Sequence, residues 1–187
     1  EGTNVTLSTD YNSCLASYNF PSATYTDACG SALKGGWMIG TDIATGLEAF
    51  RINTNGGIVR NIPVGNYTVC YYLEDQCDKI GSCCMTLAVR DYVSPVAVCK
   101  TYLTIGLGDN GRGRIQARDF DNGSYDNCGV VSWKIRRMTD PCHSPAITSL
   151  RDTVAFCCTD VNKKIAVVMR ITDANGNYNE CMDSVFI

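Results

Sequence analysis

The chain has 187 residues, of which 45% are hydrophobic and 19% are charged, a composition that supports a packed core and excludes a disordered tail. Its net charge of −3 gives no general attraction to nucleic acid, so we expect no nucleic-acid partner. No apolar run approaches the roughly 18 residues that a membrane-spanning helix needs, so we expect no membrane span.

The predicted elements, in chain order, are short strands separated by turns. Apolar residues alternate with others at 69–73 and 83–89 in the first half, and at 165–171 and 181–187 in the second. A period of two is typical of strands with one buried face. Turn signals rich in glycine and asparagine separate these runs, at 55–57, 65–66, 109–111, 122–123 and 175–176. No stretch has the spacing of an amphipathic helix, so the sequence predicts an all-β protein.

The chain contains two copies of one pattern. The tetrapeptide DACG at 27–30 returns as DNCG at 126–129, and a tryptophan follows each copy. Further along, a shift of 98 residues pairs Asp75 with Asp173 and Cys83 with Cys181. The repeat predicts two tandem Ig-like β-sandwich domains stapled by disulfides, at 1–92 and 93–187.

Twelve cysteines against one histidine indicate the compartment in which the chain works. Zinc sites usually contain paired C-x2-4-C knuckles, and no C-x-x-C occurs here. An even number of scattered cysteines is typical of a disulfide framework in an oxidising compartment. We therefore expect a secreted protein that is located outside the cell or on its surface.

Six cysteines fall in each half, and six thiols allow fifteen pairings, so the connectivity stays open. The cysteines that match between the repeats favour one shared bridge, Cys29–Cys83 in the first half and Cys128–Cys181 in the second. Strand parity places Cys70 and Cys84 away from the core face, where neighbouring strands can link them. The remaining expected bridge joins Cys142 to either Cys157 or Cys158, around a loop of about fifteen residues.

Several strings resemble HYR (hyalin repeat) modules, and most closely those of secreted surface proteins of Bacteroidota. They are FDNGSYDNCG at 120–129, AFCCTDV at 155–161, RITDANGNYNECMDSV at 170–185 and the junction RDYVSPVAVC at 90–99. The first repeat is a more divergent copy. The resemblance implies an Ig-like fold, an extracellular location and a structural or adhesive role, and it brings no catalytic residues. The string Asp152-Thr153-Val154 also resembles the O-glycosylation motif of exported Bacteroidota proteins, which makes Thr153 the candidate glycosylation site.

Signals for catalysis are weak. A formal G-x-G-x-x-G at 106–111 is followed by a predicted strand, whereas a dinucleotide site needs a helix there. The single histidine, His143, lies beside Cys142, which we expect to be oxidised, in a loop between two prolines. We therefore predict no catalytic residues and no enzyme activity. The basic residues Lys134, Arg136 and Arg137 are expected on a solvated strand face.

Calcium is the sharpest possibility for a bound ion. The string DFDNGSYDN at 119–127 places oxygen-bearing side chains close together, and Gly123 permits a tight turn. Hard cations prefer such oxygen-rich loops, although no glutamate stands at the twelfth position to complete an EF-hand-like site. The same residues also form ordinary turns without a metal. The candidate ligands for a structural calcium ion are Asp119, Asp121, Asn122, Ser124 and Asp126, and no other cofactor is expected.

Two functions from different classes follow. The first is a non-enzymatic structural protein, a segment or subunit of a cell-surface fibre, filament or adhesin that associates with itself or forms part of a covalent repeat array. The alternative is a calcium-assisted module that binds surface glycans or proteins, or an accessory domain of a larger secreted protein.

Overall fold

The structure is a computed structural model that describes residues 4–26, 32–143 and 146–187. The chain folds into two compact units, Glu1–Val93 and Ser94–Ile187. The boundary lies one residue after the predicted end of the first repeat. Among the described residues, the one α-helix has four residues, so no helix there is long enough to cross a membrane.

The first domain is a sandwich of two sheets. Its strands are β1 (Val5–Ser8), β2 (Leu15–Phe20), β3 (Leu33–Asp42), β4 (Glu48–Ile52), β5 (Gly57–Pro63), β6 (Gly65–Asp75) and β7 (Ile80–Arg90). One sheet has the order β1-β7-β6-β3-β4, and β2 pairs with β5 in the other. All these pairs are antiparallel except β1 with β7, which are parallel.

Alternation along β6 and β7 builds the core of this domain. Val69, Tyr71 and Leu73 are buried, as the period of two predicts, and Leu87 and Val89 on β7 are buried with them. From the other sheet, side chains of β2 and β5 pack against the same cluster. The result is the inner layer of a small Ig-like sandwich.

The second domain repeats this plan. Its elements are β8 (Leu103–Thr104), β9 (Arg112–Gln116), α1 (Ala117–Phe120), β10 (Val130–Arg137), β11 (Thr153–Cys157), a 3-10 turn (Cys158–Asp160), β12 (Lys164–Asp173) and β13 (Tyr178–Phe186). One sheet has the order β10-β12-β13-β8, and β9 pairs with β11 in the other. The formal G-x-G-x-x-G is a turn closed by a 3.0 Å bond from Gly108 N–H to the Arg112 carbonyl, and strand β9 follows it.

The core of the second domain follows the predicted parity of β12. Ile165, Val167, Met169 and Ile171 are all buried, and Val185 of β13 packs against them. Burial of such side chains contributes about 25 cal/mol per Å² of apolar surface removed from water. The fold is thus all-β and Ig-like in both halves.

The two domains share the register of their parallel strand pair. In the first, parallel pairing places Val5 opposite Leu87. In the second, it places Leu103 opposite Val185. Each residue of the second pair lies 98 positions after its counterpart in the first pair. The interval between the sequence repeats is therefore also the interval between these equivalent positions in the structure.

The hairpins that join β6 to β7 and β12 to β13 are closed in the same way. The Asp75 carboxylate accepts hydrogen bonds from the N–H groups of residues 77 and 79, at 2.8 and 2.9 Å. The Asp173 carboxylate accepts from the N–H groups of residues 175 and 177, at 2.8 and 2.9 Å. Each aspartate holds the turn that follows it, as Asx turns do.

Candidate functional site

Disulfides are the main chemical feature of the described residues. The structure contains three described bonds, namely Cys70–Cys84, Cys99–Cys181 and Cys142–Cys157. The first joins residues directly opposite on β6 and β7, on the face away from the core, where strand parity placed them. The third closes a 15-residue loop and selects Cys157 over Cys158. Three further cysteines are also disulfide-bonded, Cys14, Cys77 and Cys128.

The shared bridge expected from the repeat is wrong. Cys181 is bonded to Cys99 and not to Cys128, and Cys83 is a free, exposed thiol; Cys29 lies outside the described residues. The reason is the parallel register of β8 with β13. Cys99 stands four residues before Leu103 and Cys181 four residues before its partner Val185, so the two cysteines lie side by side.

The bridge Cys99–Cys181 has the longest span of the described disulfides. It connects the segment that enters the second domain to its last strand, across a sequence separation of 82 residues. In the chain-entropy model, a loop of this size stabilises a domain by about 4–5 kcal/mol. Nearly the whole domain is enclosed by one covalent bond.

A buried ion pair lies beneath the loop at 138–152. The Arg137 side chain is 2% exposed and the Asp160 side chain 1%, and two guanidinium N–H groups donate to the carboxylate at 2.8 and 2.9 Å. The guanidinium also donates to the carbonyls of Thr139 and Ala155, at 2.6 and 2.7 Å. These bonds occupy four of the five N–H groups of the guanidinium, and pairing of this kind is the condition for keeping a charge inside a protein.

The expectation of a solvated position for Arg137 is wrong. The residue lies two positions after Ile135, which is fully buried on the inner face of β10. Alternation places both side chains inward, and this parity is the signal in the sequence that identifies Arg137 as a buried cation. Lys134, by contrast, reaches an exposed partner, Asp152, at 2.7 Å.

His143 is held by a second buried carboxylate. Its Nδ1 lies 2.7 Å from an oxygen of Asp140, which also accepts hydrogen bonds from the N–H groups of Cys142 and Ile147. Among the described residues, no hydroxyl or free thiol is hydrogen-bonded to this imidazole, and the neighbouring Cys142 sulfur is oxidised. The pair closes the loop and offers no nucleophile to activate.

Both buried carboxylates favour their ionised forms. Burial raises the pKa of Asp140, but hydrogen bonds from Ile147, His143 and Cys142 outweigh burial and leave that pKa below its ordinary value. Burial also raises the pKa of Asp160, and the Arg137 guanidinium with the Cys157 N–H lowers it further than burial raises it. Hydrogen bonds to the charged form thus decide the protonation state of both groups.

Several side-chain oxygens of the predicted calcium loop accept hydrogen bonds from backbone N–H groups of the loop, of Gln116 and of Val98. One oxygen of Asp121 accepts from Ser124 N–H at 3.0 Å, and the Ser124 hydroxyl accepts from Val98 N–H at 2.9 Å. Asp119, at the end of the first turn of α1, accepts from Gln116 N–H at 3.4 Å. These contacts are those of a turn that is held by hydrogen bonds to backbone groups.

Asp126 and Asn122, two further proposed ligands, also take part in hydrogen bonds with backbone groups. Asp126 accepts from Cys128 N–H at 2.8 Å, and the backbone N–H of Asn122 donates to the Val98 carbonyl at 2.9 Å. The carboxylate oxygens of residues 119, 121 and 126 do not lie within 4.8 Å of one another in the described part of the chain. Calcium binding by this loop stays a prediction.

The proposed glycosylation site is accessible. Thr153 is exposed at the first residue of β11, opposite Gln116 of β9. Among the described residues, β9 is the one strand that pairs with β11 in this sheet. Modification of Thr153 stays a prediction.

No protein-family model matches the sequence, and no curated protein matches it. Solved structures of tandem extracellular-type domains do resemble it. The fibronectin(III)-like modules of Clostridium thermocellum CbhA are 11% identical, with 100% of this chain and 89% of that chain covered and a TM-score of 0.34. The DIP-gamma and Dpr11 Ig-domain complex is 8% identical over 100% of this chain and 96% of that chain, with a TM-score of 0.46.

A third similar structure is human CDH23 EC21-23. It is 16% identical, with 98% of this chain and 72% of that chain covered and a TM-score of 0.40. Similarities at this level carry no inference about what the chain binds or does.

Proposed function

We propose that the chain is a non-enzymatic structural module of an extracellular fibre, repeat array or adhesin. Its two domains share one plan, and modules of one plan build length by repetition. The described disulfides are typical of oxidising compartments, which supports a location outside the cell or on its surface. The resemblance to hyalin repeats of Bacteroidota surface proteins supports the same role.

The observation that carries the proposal is the position of Cys99–Cys181. Tension that enters the second domain at its first residues and leaves at its last strand passes through this bond. The segment between the two cysteines, which are 82 positions apart, is therefore excluded from extension. A module that bears load in a fibre benefits from such a path, because the fold inside the loop is not pulled apart.

Single-molecule stretching of the whole chain by its two ends tests this function. At about 3.6 Å per extended residue, the enclosed segment hides about 300 Å of length. The fully stretched length is expected to be at least about 300 Å greater under a reducing agent than in the oxidised protein. Equal stretched lengths in the two conditions would show that the staple does not carry the load.

Assembly is tested separately by negative-stain imaging of unreduced protein. Regular fibres that persist in EDTA support self-association without calcium. Dispersed two-domain particles at high protein concentration would contradict self-assembly and direct the search to glycan or protein partners.

A further inference from the structure

A cavity of about 350 Å³ lies beside the β6–β7 hairpin of the first domain. Its wall includes Tyr25, Thr26, Leu33, Tyr71, Leu73 and Cys83. Tyr71 is only 5% exposed, and its hydroxyl has no hydrogen-bond partner among the described residues. A buried hydroxyl without a partner is unfavourable, so it marks a place where a ligand group gains a hydrogen bond.

Cys83 gives this cavity a reactive group. It is one of two free, exposed cysteines in the described chain, the other being Cys158. Cys83 lies opposite Tyr71 on neighbouring strands, as Cys181 lies opposite Met169 in the second domain. Cys83 and Cys181 thus occupy equivalent positions, but only Cys181 has a partner.

In the second domain, the equivalent place is filled by the segment 96–100. Val96 and Tyr125 exchange backbone hydrogen bonds at 2.8 and 3.1 Å. Val98 accepts from Asn122 N–H at 2.9 Å, and its own N–H donates to the Ser124 hydroxyl at 2.9 Å. The segment is therefore an extended strand paired with the loop at 120–125.

Two side chains of that segment point toward the core. Ala97 and Cys99, two residues apart, both pack against the buried cluster of the second domain, and Cys99 is bonded to Cys181. A small residue and a cysteine at alternate positions are thus what the site accepts. The backbone pairing and the disulfide hold the segment together.

The first domain has the loop but not this covering segment among its described residues. The DACG and DNCG motifs align Tyr25 and Thr26 with Ser124 and Tyr125, and Tyr25 and Thr26 line the cavity. The residue 98 positions before Cys99 is Glu1, which has no sulfur with which to bond Cys83. The position equivalent to Cys99 therefore supplies no partner for Cys83.

We propose that the cavity of the first domain is a docking site for an extended, cysteine-bearing segment of the type found at 94–100, and that this segment forms a disulfide with Cys83. The source of the segment is another repeat of this type, so this part of the inference rests on the proposed function. A backbone carbonyl of the docked strand supplies the acceptor for the Tyr71 hydroxyl. The contact joins modules covalently without requiring a new fold.

The covalent step is a thiol–disulfide exchange. Cys83 loses its proton to solvent, and its thiolate attacks the segment's sulfur, which is carried as a mixed disulfide with a small thiol. The new sulfur–sulfur bond forms as the old one breaks, and the small thiol leaves as a thiolate with the electron pair. No other oxidant is needed.

The test uses the full oxidised chain and a synthetic peptide with the sequence SPVAVCK of residues 94–100, as its mixed disulfide with an aromatic thiol. Each exchange releases one coloured thiolate, and mass spectrometry assigns the modified cysteine. The matched control within the chain is Cys158, which is also free and exposed. The variants are Cys83→Ser and Cys158→Ser, and a scrambled peptide of equal composition controls for simple thiol reactivity.

We expect the native peptide to modify Cys83 at least roughly tenfold faster than Cys158, a ratio that corresponds to about 1.4 kcal/mol. The scrambled peptide is expected to lose this preference. Cys83→Ser is expected to abolish the fast reaction and Cys158→Ser to leave it unchanged. Equal rates at the two cysteines, equal rates for the two peptides or no adduct at Cys83 would each overturn the inference. None of these results affects the stretching test of the proposed function, which depends on Cys99 and Cys181.

Discussion

The buried ion pair in the second domain makes a quantitative prediction about stability. Replacing Asp160 with alanine removes the carboxylate that lies 2.8 Å from the Arg137 guanidinium and leaves this cation, which is 2% exposed, with the more distant Asp140 carboxylate at 4.0 Å. Breaking one side of a buried ion pair costs about 3–5 kcal/mol, because the remaining charge stays desolvated. For a domain of this size, each kcal/mol lowers Tm by about 4–8 °C, so we expect a fall of at least about 12 °C.

The same domain offers a matched control. Asp152 forms an ion pair with Lys134 at 2.7 Å, close to the 2.8 Å of the buried pair, but its side chain is 80% exposed. Exposed pairs contribute less than about 1 kcal/mol, since water screens both charges. Asp152→Ala is therefore expected to shift Tm by only a few degrees.

Each domain contains one tryptophan, which lets the transitions be separated. In a Trp37→Phe background, Trp133 on β10 reports on the second domain alone. Thermal unfolding followed by its fluorescence, with the disulfides intact, gives the Tm of each variant. If Asp160→Ala and Asp152→Ala shifted this Tm equally, burial would not decide the strength of the pair and the reasoning would fail.

Three further predictions follow from the described contacts. The pKa values of Asp140 and Asp160 are lowered in the folded state, so the stability that these carboxylates contribute is complete above the ordinary carboxyl pKa and is lost as the pH falls through the lowered values. We therefore expect the second domain to become less stable below about pH 4. Acid titration followed by Trp133 fluorescence measures this loss. Gly40→Ala should destabilise the first domain by about 1–3 kcal/mol, because the new methyl group overlaps the ring of Phe50. Gly35→Ala on the same strand is the control, since its methyl group meets nothing within 4 Å. Equal denaturant midpoints for the two variants would contradict this. If the loop at 119–126 binds calcium as the sequence predicts, millimolar calcium should raise the Tm of the second domain relative to EDTA, and an unchanged Tm would contradict the predicted site.

The sequence predicted the buried faces of the strands well, because alternation is a local property. One exception is Val168, which points outward on β12 by parity and yet is only 4% exposed. It lies opposite Met182 on one neighbouring strand and Arg136 on the other. A residue in the middle of a sheet is covered by long side chains on both sides, and this depends on pairing that no single strand reveals.

The disulfides likewise include one that the local sequence pattern predicts and one that it does not. Cys70–Cys84 follows from parity on two consecutive strands, so local reasoning found it. Cys99–Cys181 depends on a parallel pair formed by residues more than 80 positions apart, and the matched cysteines of the repeat pointed elsewhere. The open cavity is likewise visible only when the two domains are compared position by position in the structure.

The paired hairpins have a consequence for how such modules diversify. An aspartate accepts hydrogen bonds from backbone N–H groups in each turn, and the third residue after it adopts positive φ in both, +59° at Asp78 and +89° at Gly176. These backbone N–H groups are present whichever side chains stand at 76–77 and at 174–175, so substitution there leaves these backbone hydrogen bonds available. One copy carries Cys77 there, a cysteine that is disulfide-bonded, while the other carries Asn175. The turn is a tolerant position at which a repeat acquires or loses a covalent crosslink by a single substitution while its scaffold stays intact.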